Sequence, residues 1–280
     1  MTTPQTGGAT KPLLLPPLIW QLVFFVAPLA FLVVISFWTV KNFQLEPAFT
    51  SRNWVHMLSR ESFWAAYLYT WQLSLMAAFA ATLLGFPAAY SIAFHLRPRG
   101  RQLALMLLVI PFFTAYLVRA YAWQVVLADN GIVNGAMRAL GWPALPLLNN
   151  SFGSLIGFLT LCLPLVVLIQ VMGMRQIDKS QIEAARNLRA GPLRTVWEVI
   201  LPSMKASLVI GWLFAFILSF GDFVSPTYLG GGASPTLTSM IIDATKSGQQ
   251  WPRAAVVAVT MIVTLLLTSL CAGALAYRRK

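Results

Sequence analysis

Charged residues are scarce in this chain of 280 residues. Asp, Glu, Lys and Arg together make up 10% of the sequence, whereas hydrophobic residues make up 58%. Ordinary globular domains contain about 25% charged residues, so this chain has too few polar side chains to cover a water-soluble domain of its size. The scarcity excludes a soluble enzyme or binding module and predicts an integral membrane protein.

Cysteine and acidic residues are also few. Cys162 and Cys271 both lie inside apolar runs, so we expect neither a disulfide framework nor a metal site. The 20 basic residues outnumber the 8 acidic ones, but they stand in short clusters between apolar runs, so nucleic acid is not an expected partner. The glycine-rich run LGGGASPT, at 229–236, lacks the lysine of a phosphate-binding loop.

Long apolar runs, in contrast, are abundant. A helix needs about 20 mostly apolar residues to cross a bilayer, and backbone groups cannot stay unpaired in lipid, so runs of this length predict helices rather than barrel strands. We therefore predict an all-α membrane protein with a short tail at 1–11 and a single transmembrane domain at 12–280. Its six spans are predicted at about 13–38, 63–94, 103–127, 151–173, 203–223 and 254–277.

The distribution of Lys and Arg predicts the orientation of the spans. When both termini are placed on one side, thirteen basic residues fall on that side and six on the other, with Arg119 inside the third span. Cytoplasmic segments hold the excess of basic residues, so both termini are predicted to be cytoplasmic. The first apolar run is too long for a signal peptide and lacks a clear cleavage site, which indicates a retained helix.

One cytoplasmic segment, at 174–202, is long enough to dock a partner. Gly191 is a natural helix stop and Pro192 a natural first-turn residue, so the segment divides into two helical pieces. Pro202 is expected to begin the fifth span. On one face of the second piece the periodicity places Leu193, Val196, Trp197 and Ile200. From these features alone, a solvated basic loop is the simplest interpretation.

The same segment nevertheless resembles the cytoplasmic signature of permease subunits of binding-protein-dependent ABC importers. That signature is Glu-Ala-Ala, three residues, Gly, nine residues, Ile, one residue and Leu-Pro. Arg189 stands at the position of the Gly, and Gly191 is expected to supply the flexibility instead. The residues that fit the signature are Glu183, Ala184, Ala185, Leu201 and Pro202, with Val199 at the Ile position.

The resemblance extends over nearly the whole chain. GFPAAYSIAFHLRPRGR at 85–101, PFFTAYLVRAYAW at 111–123, NGIVN at 130–134 and GDFVSPTYLGG at 221–231 are similar to the spermidine/putrescine branch of these permeases. It implies a six-helix permease bundle in the bacterial inner membrane, surrounded by lipid, with a coupling helix between the fourth and fifth spans. The residues implied to contact an ATPase are Glu183, Ala184, Ala185, Arg189 and Gly191.

The resemblance also implies partners. They are a second permease, either a homologous different chain or an identical one, two ATP-binding subunits that bind ATP and Mg, and an extracytoplasmic binding protein that delivers the solute. This chain carries no nucleotide-binding motif of its own, so it is expected to bind no cofactor and to catalyse no covalent chemistry. The solute implied is a polyamine.

Two ionisable residues, Arg119 and Asp222, interrupt apolar spans, where charges are costly enough to suggest a function. Counting along straight helices places both roughly 26 Å from the inner boundary. A direct ion pair between the third and fifth spans is the favoured interpretation. The alternative is that Asp222 attracts a cationic solute.

Aromatic residues near Arg119 suggest a solute path. Tyr116, Arg119 and Trp123 follow the spacing of one helical face, and aromatic rings attract alkylammonium groups. Anchoring at the membrane boundary is the more ordinary role for such rings, and it applies also to Tyr121 and Tyr228. Boundary placement is likewise expected for both histidines, His56 and His95.

Two other classes of function are consistent with parts of the sequence. A stand-alone secondary transporter would use Asp222 for proton coupling, although six helices without an internal repeat argue against it. In the other class, a membrane scaffold or assembly factor, each motif would serve only to pack helices. Association with an ATPase that a loaded binding protein stimulates would distinguish an importer subunit from both.

Overall fold

The computed structural model describes residues 11–232, 234–246 and 249–277, with side chains from residue 15 onward. Most of the predicted tail at 1–11 therefore lies outside the described residues. The first apolar run is helical, with a π turn at Leu22–Val26 between two α-helices. These helices are α1 (Lys11–Gln21) and α2 (Ala27–Ile35).

A short hairpin and a short helix follow the first apolar run. The strands β1 (Thr39–Lys41) and β2 (Gln44–Glu46) pair antiparallel, with Val40 opposite Leu45. The two-residue turn has positive φ at Asn42 and Phe43, the geometry that matches the twist of a hairpin. Helix α3 (Arg52–Leu58) comes next.

The remaining elements are helical, and several carry irregular turns at their ends. Helix α4 ends in a π turn at Ser91–His95, and α5 ends in a 3₁₀ turn at Ile110–Phe113. The helices as far as the fourth predicted span are α4 (Glu61–Tyr90), α5 (Pro98–Val109), α6 (Tyr116–Leu127), α7 (Ile132–Ala139) and α8 (Ser151–Arg175). Those after it are α9 (Lys179–Asn187), α10 (Pro192–Thr195), α11 (Leu201–Ser203), α12 (Lys205–Phe220), α13 (Val224–Tyr228), α14 (Leu237–Lys246) and α15 (Trp251–Tyr277).

Four helices in the described residues are long and apolar enough to cross a membrane, or up to six if each of two bent pairs counts as one span. The four are Leu15–Ile35, Glu61–His95, Ser151–Arg175 and Trp251–Tyr277. The all-helical membrane fold is thus confirmed, while six crossings stay a prediction.

The third predicted span, 103–127, is wrong as a single straight helix. The chain bends by 98° between Pro98–Phe113 and Tyr116–Ala139. Pro111 cannot donate a backbone hydrogen bond, and Thr114 and Ala115 are extended, so the helical ladder stops and starts again.

The beginning of the fifth predicted span is also bent, by 74° between Pro192–Ser203 and Lys205–Phe220. The break lies at Met204, whose φ of −100° and ψ of 15° leave the helical region, and not at Pro202. Pro202 lies in α11, which directly continues the π turn at Val196–Ile200.

The described chain divides into two compact units, and the predicted single domain at 12–280 stays a prediction. One unit comprises the described parts of Met1–Phe63 and Met240–Ile262, and the other comprises those of Trp64–Ser239 and Val263–Lys280. The core of the second unit forms where α8 packs along α12. Small residues let these helices approach: a Cβ on Gly173 would lie 2.3 Å from Ser207 Oγ.

Candidate functional site

The segment resembling a coupling helix forms α9, which begins with a side-chain cap. The Asp178 carboxylate accepts a hydrogen bond from the Ser180 backbone N–H at 3.0 Å. This bond from the Ser180 amide lowers the pKa of Asp178 below its ordinary value, because it stabilises the charged form. The cap satisfies an amide that the first turn would otherwise leave unpaired.

Arg189 forms the end of α9 in a left-handed conformation, with a φ of +57°. Its N–H donates to the Arg186 carbonyl at 2.9 Å, and the Ala190 N–H donates to the Ala185 carbonyl at 3.0 Å. These two bonds define a Schellman motif, in which the left-handed residue is usually glycine. The structure therefore explains why the family signature has Gly at the position of Arg189.

Gly191 does not form the turn at the end of α9. Its φ of −66° and ψ of 166° are extended values that any residue adopts, and a Cβ there would meet nothing within 4 Å. The helix turns at Arg189 and Gly191 leads into Pro192, so the flexibility of Gly191 stays a prediction.

The second helical piece does not keep its four apolar residues on one face. A π turn at Val196–Ile200 shifts the register, so Ile200 is buried whereas Trp197 is exposed. Leu193 is also exposed, and so is Leu188 at the end of α9, which is 84% exposed. Leu188, Leu193 and Trp197 together form what we call the apolar tip of this loop.

Beside α9 lies a groove of about 460 Å³. One wall belongs to the end of α4 and its π turn, where the rings of Tyr90 and His95 lie 5.2 Å apart. The opposite wall presents Lys179, Glu183 and Arg186 from α9. The predicted coupling residue Glu183 is therefore exposed on a helix that borders an open groove.

Asp222, the second predicted site, lies between α12 and α13 and is 9% exposed. Its Oδ1 accepts from the Val224 N–H at 2.8 Å, and its Oδ2 accepts from the Ser225 hydroxyl at 2.6 Å. Tyr116 Oη also donates to Oδ2. The carboxylate thus bonds the first two residues of α13 and connects them to Tyr116 of α6.

Arg119 does not form the expected ion pair with Asp222. The ion pairs of the described residues are Lys41–Glu46 and Arg194–Glu198. The Arg119 guanidinium lies 5.5 Å from the centre of the Tyr116 ring, and its buried Nε has no hydrogen-bond partner. The matched depth that predicted the pair came from counting along a straight helix, which the 98° bend invalidates.

The predicted face of Tyr116, Arg119 and Trp123 is present on α6, but its members have different surroundings. Tyr116 turns toward Asp222, whereas Arg119 and Trp123 line a cavity of about 390 Å³ bordered by α8. Tyr121 and Tyr228 lie together, with ring centres 5.1 Å apart.

Sequence reasoning missed two hydroxyl residues around Asp222. Ser225 donates to the carboxylate, and Thr238 Oγ1 donates to the Asp222 carbonyl at 3.1 Å. Ser225 lies three residues after Asp222, so it was at least close to the carboxylate in sequence. Thr238 had no such signal, since it comes 16 residues later.

A family model described as "Binding-protein-dependent transport system inner membrane component" matches residues 81–279. The spermidine/putrescine transport system permease protein PotB of Haemophilus influenzae is 28% identical over 255 residues, covering 89% of this chain and 87% of its own length. PotB of Escherichia coli K12 is 26% identical over 249 residues, covering 88% and 90%.

A solved structure has a similar fold. It is a chain of a bacterial alginate ABC transporter in complex with an alginate pentasaccharide-bound periplasmic protein. The TM-score is 0.73 at 16% identity, and the match covers 96% of this chain and 93% of that one. At this identity the likeness concerns the fold alone.

Proposed function

Because the chain belongs to the family of binding-protein-dependent transport system inner membrane components, we propose that it is one permease subunit of an ATP-driven importer for a small cationic solute, a polyamine. The matched family model, over residues 81–279, is the observation that carries the proposal. The two spermidine/putrescine permeases above support the polyamine class.

In this proposal α9 is the coupling helix. Its support is local: a capped helix, closed by a Schellman motif, exposes Glu183 beside an open groove and ends at the apolar tip. Three large apolar side chains left exposed within one loop suit a surface that another protein covers. Two ATPase subunits that bind ATP and Mg would drive transport, and one of them would bind this loop.

The partners proposed are a second, homologous permease and an extracytoplasmic binding protein, with both termini of this chain in the cytoplasm. The alginate transporter of similar fold is a precedent for a periplasmic protein in such a complex. Transport becomes directional if ATP, solute and binding protein each favour one of two arrangements of the bundle.

The solute path is proposed along α6, near Tyr116, Arg119 and Trp123. Asp222 is a positioning residue in this path, because its oxygens already accept hydrogen bonds from Tyr116, Ser225 and Val224. A stand-alone transporter coupled through Asp222 is not favoured, since the family is binding-protein-dependent.

The test is reconstitution with the candidate ATPase and binding protein. Glu183→Lys reverses an exposed charge on α9, and Leu188→Ser removes the exposed tip side chain without touching the core. Both are expected to reduce ATPase capture and solute-stimulated ATP hydrolysis at least tenfold. The matched control is Glu61→Lys, the same charge reversal at the first residue of α4. Unchanged capture by both variants would contradict the coupling role.

A further inference from the structure

A basic cleft of about 300 Å³ lies in the unit formed by the described parts of Met1–Phe63 and Met240–Ile262. Three elements meet there: the β1 strand, helix α3 and the first turn of α15. The residues that line the cleft include Thr39, Arg52, His56, Gln250 and Arg253.

The positive charge of this cleft has little acidic compensation. Lys41, at its rim, pairs with Glu46 at 2.8 Å. Arg52 and Arg253 have no carboxylate within 4.0 Å in the part of the chain that the structure describes. Two guanidinium groups therefore face the cleft with their charge unpaired.

The pKa of His56 responds to the two arginines of this cleft and to Arg60 outside it. It lies below its ordinary value, chiefly because of Arg60, then burial, and then Arg253 and Arg52. Each of these charges disfavours a further proton on the ring. Positive charges and burial are thus the causes of the lowered pKa, which agrees with the absence of a carboxylate beside Arg52 and Arg253.

The cleft also contains buried polar atoms without a partner. His56 Nε2 and Thr39 Oγ1 are both buried and make no hydrogen bond. The neighbouring amide of Asn53, in contrast, donates to the carbonyls of Ser36 and Trp38. Buried polar groups are normally satisfied, and a ring nitrogen and a hydroxyl without partners beside two guanidinium groups can both donate to an acceptor placed there.

We propose that this cleft binds a phosphate group. Donors converge on it from three directions, which suits a tetrahedral oxyanion, and guanidinium forks bind phosphate with two hydrogen bonds each. The location favours a phospholipid headgroup as the source. The cleft lies where α2 ends and α15 begins, at the ends of two helices apolar enough to cross a bilayer.

The experiment uses the two histidines of the chain. Full-length protein with isotope-labelled histidine rings is purified in maltoside micelles without phosphate, and both ring pKa values are measured by NMR. Dihexanoyl phosphatidylglycerol and inorganic phosphate are then added separately. We expect phosphatidylglycerol to raise the pKa of His56 by about 1, as an opposite charge within a few ångströms does.

The second histidine and three variants are the controls. His95 lies on α4's π turn, outside this cleft, and its ring signals should not respond to either addition, which excludes a general effect of micelle charge. Arg253→Gln and the exposed Arg52→Gln should each reduce the shift at His56 at least twofold. Arg138→Gln, which removes an arginine from α7, should preserve it.

The two additions identify the source of the phosphate. A shift with phosphatidylglycerol alone assigns the cleft to lipid headgroups, a shift with both assigns it to phosphate groups in general, and a shift with inorganic phosphate alone assigns it to the free ion. The proposal is overturned if neither addition shifts the pKa of His56. It is also overturned if the shift in Arg253→Gln and in Arg52→Gln is as large as in the unsubstituted protein.

Discussion

Asp222 shows how an apolar region accommodates a carboxylate without a neighbouring cation. Backbone amides and hydroxyl groups from α6 and α13 satisfy its oxygens, and Arg119 is left beside the Tyr116 ring. Hydrogen bonds to a charged group stabilise more than neutral ones. The carboxylate therefore organises its own surroundings.

Tyr116→Phe is expected to lower the free energy of unfolding by about 1.5–3 kcal/mol, the usual contribution of a hydrogen bond to a charged group. The measurement is thermal and denaturant unfolding in detergent. In an Asp222→Asn background the loss should be much smaller, because the two residues share one bond.

Arg119→Gln, alone and combined with Asp222→Asn, is the comparison for the Tyr116 and Asp222 double-mutant cycle. Its coupling to Asp222→Asn should be weaker than that between Tyr116→Phe and Asp222→Asn, since no ion pair joins Arg119 and Asp222 and they are linked only through Tyr116. Strong coupling between Arg119 and Asp222, with additivity between Tyr116 and Asp222, would show that the observed hydrogen bonds are not those that matter.

A second residue-scale prediction concerns the turn after α9. Arg189→Gly should stabilise the chain by about 0.5–1 kcal/mol, because the left-handed conformation costs an L-residue 1–2 kcal/mol and the added freedom of unfolded glycine offsets part of the gain. Gly191→Ala is the control and should be neutral or slightly stabilising, as its φ is −66°. Hydrogen exchange of the α9 amides measures both, and slower exchange in Gly191→Ala than in Arg189→Gly would refute the assignment.

At the scale of elements, α8 is the helix against which the candidate site is built. Its glycines allow α13 and the residues after it to approach closely: a Cβ on Gly153 would lie 2.4 Å from the Leu229 carbonyl oxygen. A Cβ on Gly157 would lie 2.4 Å from Ser225 Oγ, and this oxygen belongs to the hydroxyl that donates to Asp222. The packing of α8 and the geometry around Asp222 are therefore coupled.

Gly153→Ala is expected to destabilise the protein by about 1–3 kcal/mol, the cost of overpacking against atoms that cannot rotate away. The Leu229 carbonyl also accepts from the Asn149 N–H at 2.8 Å, so the shift would strain that bond. Unfolding in detergent measures the change. Gly273→Ala, on α15 with nothing within 4 Å, should be harmless, and equal losses in the two variants would contradict the close approach.

At the scale of the whole molecule, the predicted orientation depends on two loops lying on opposite sides of the membrane. Gly135 and Gly191 suit cysteine labelling, because both are exposed and a Cβ meets nothing within 4 Å at either. In a background of Cys162→Ala and Cys271→Ala, a membrane-impermeant maleimide should label Gly135→Cys in intact cells. It should label Gly191→Cys only after permeabilisation, and labelling of both in intact cells would contradict cytoplasmic placement of α9.

Composition and the length of apolar runs determined the class of the protein from the sequence alone. Lipid cannot satisfy backbone groups, so a run of about 20 apolar residues has few structural choices. The ranges predicted at 151–173 and 254–277 accordingly coincide with Ser151–Arg175 and Trp251–Tyr277. The Glu-Ala-Ala signature likewise indicated the family, because it is a local pattern within one loop.

The tertiary structure decided which side chains meet. The bend of 98° lies at the extended residues Thr114 and Ala115, and it invalidates the straight-helix count that placed Arg119 at the level of Asp222. Asp222 instead bonds Tyr116, 106 residues away in the chain. Periodicity describes one helix at a time, whereas the partner of a charge depends on the directions of several helices and on the breaks between them.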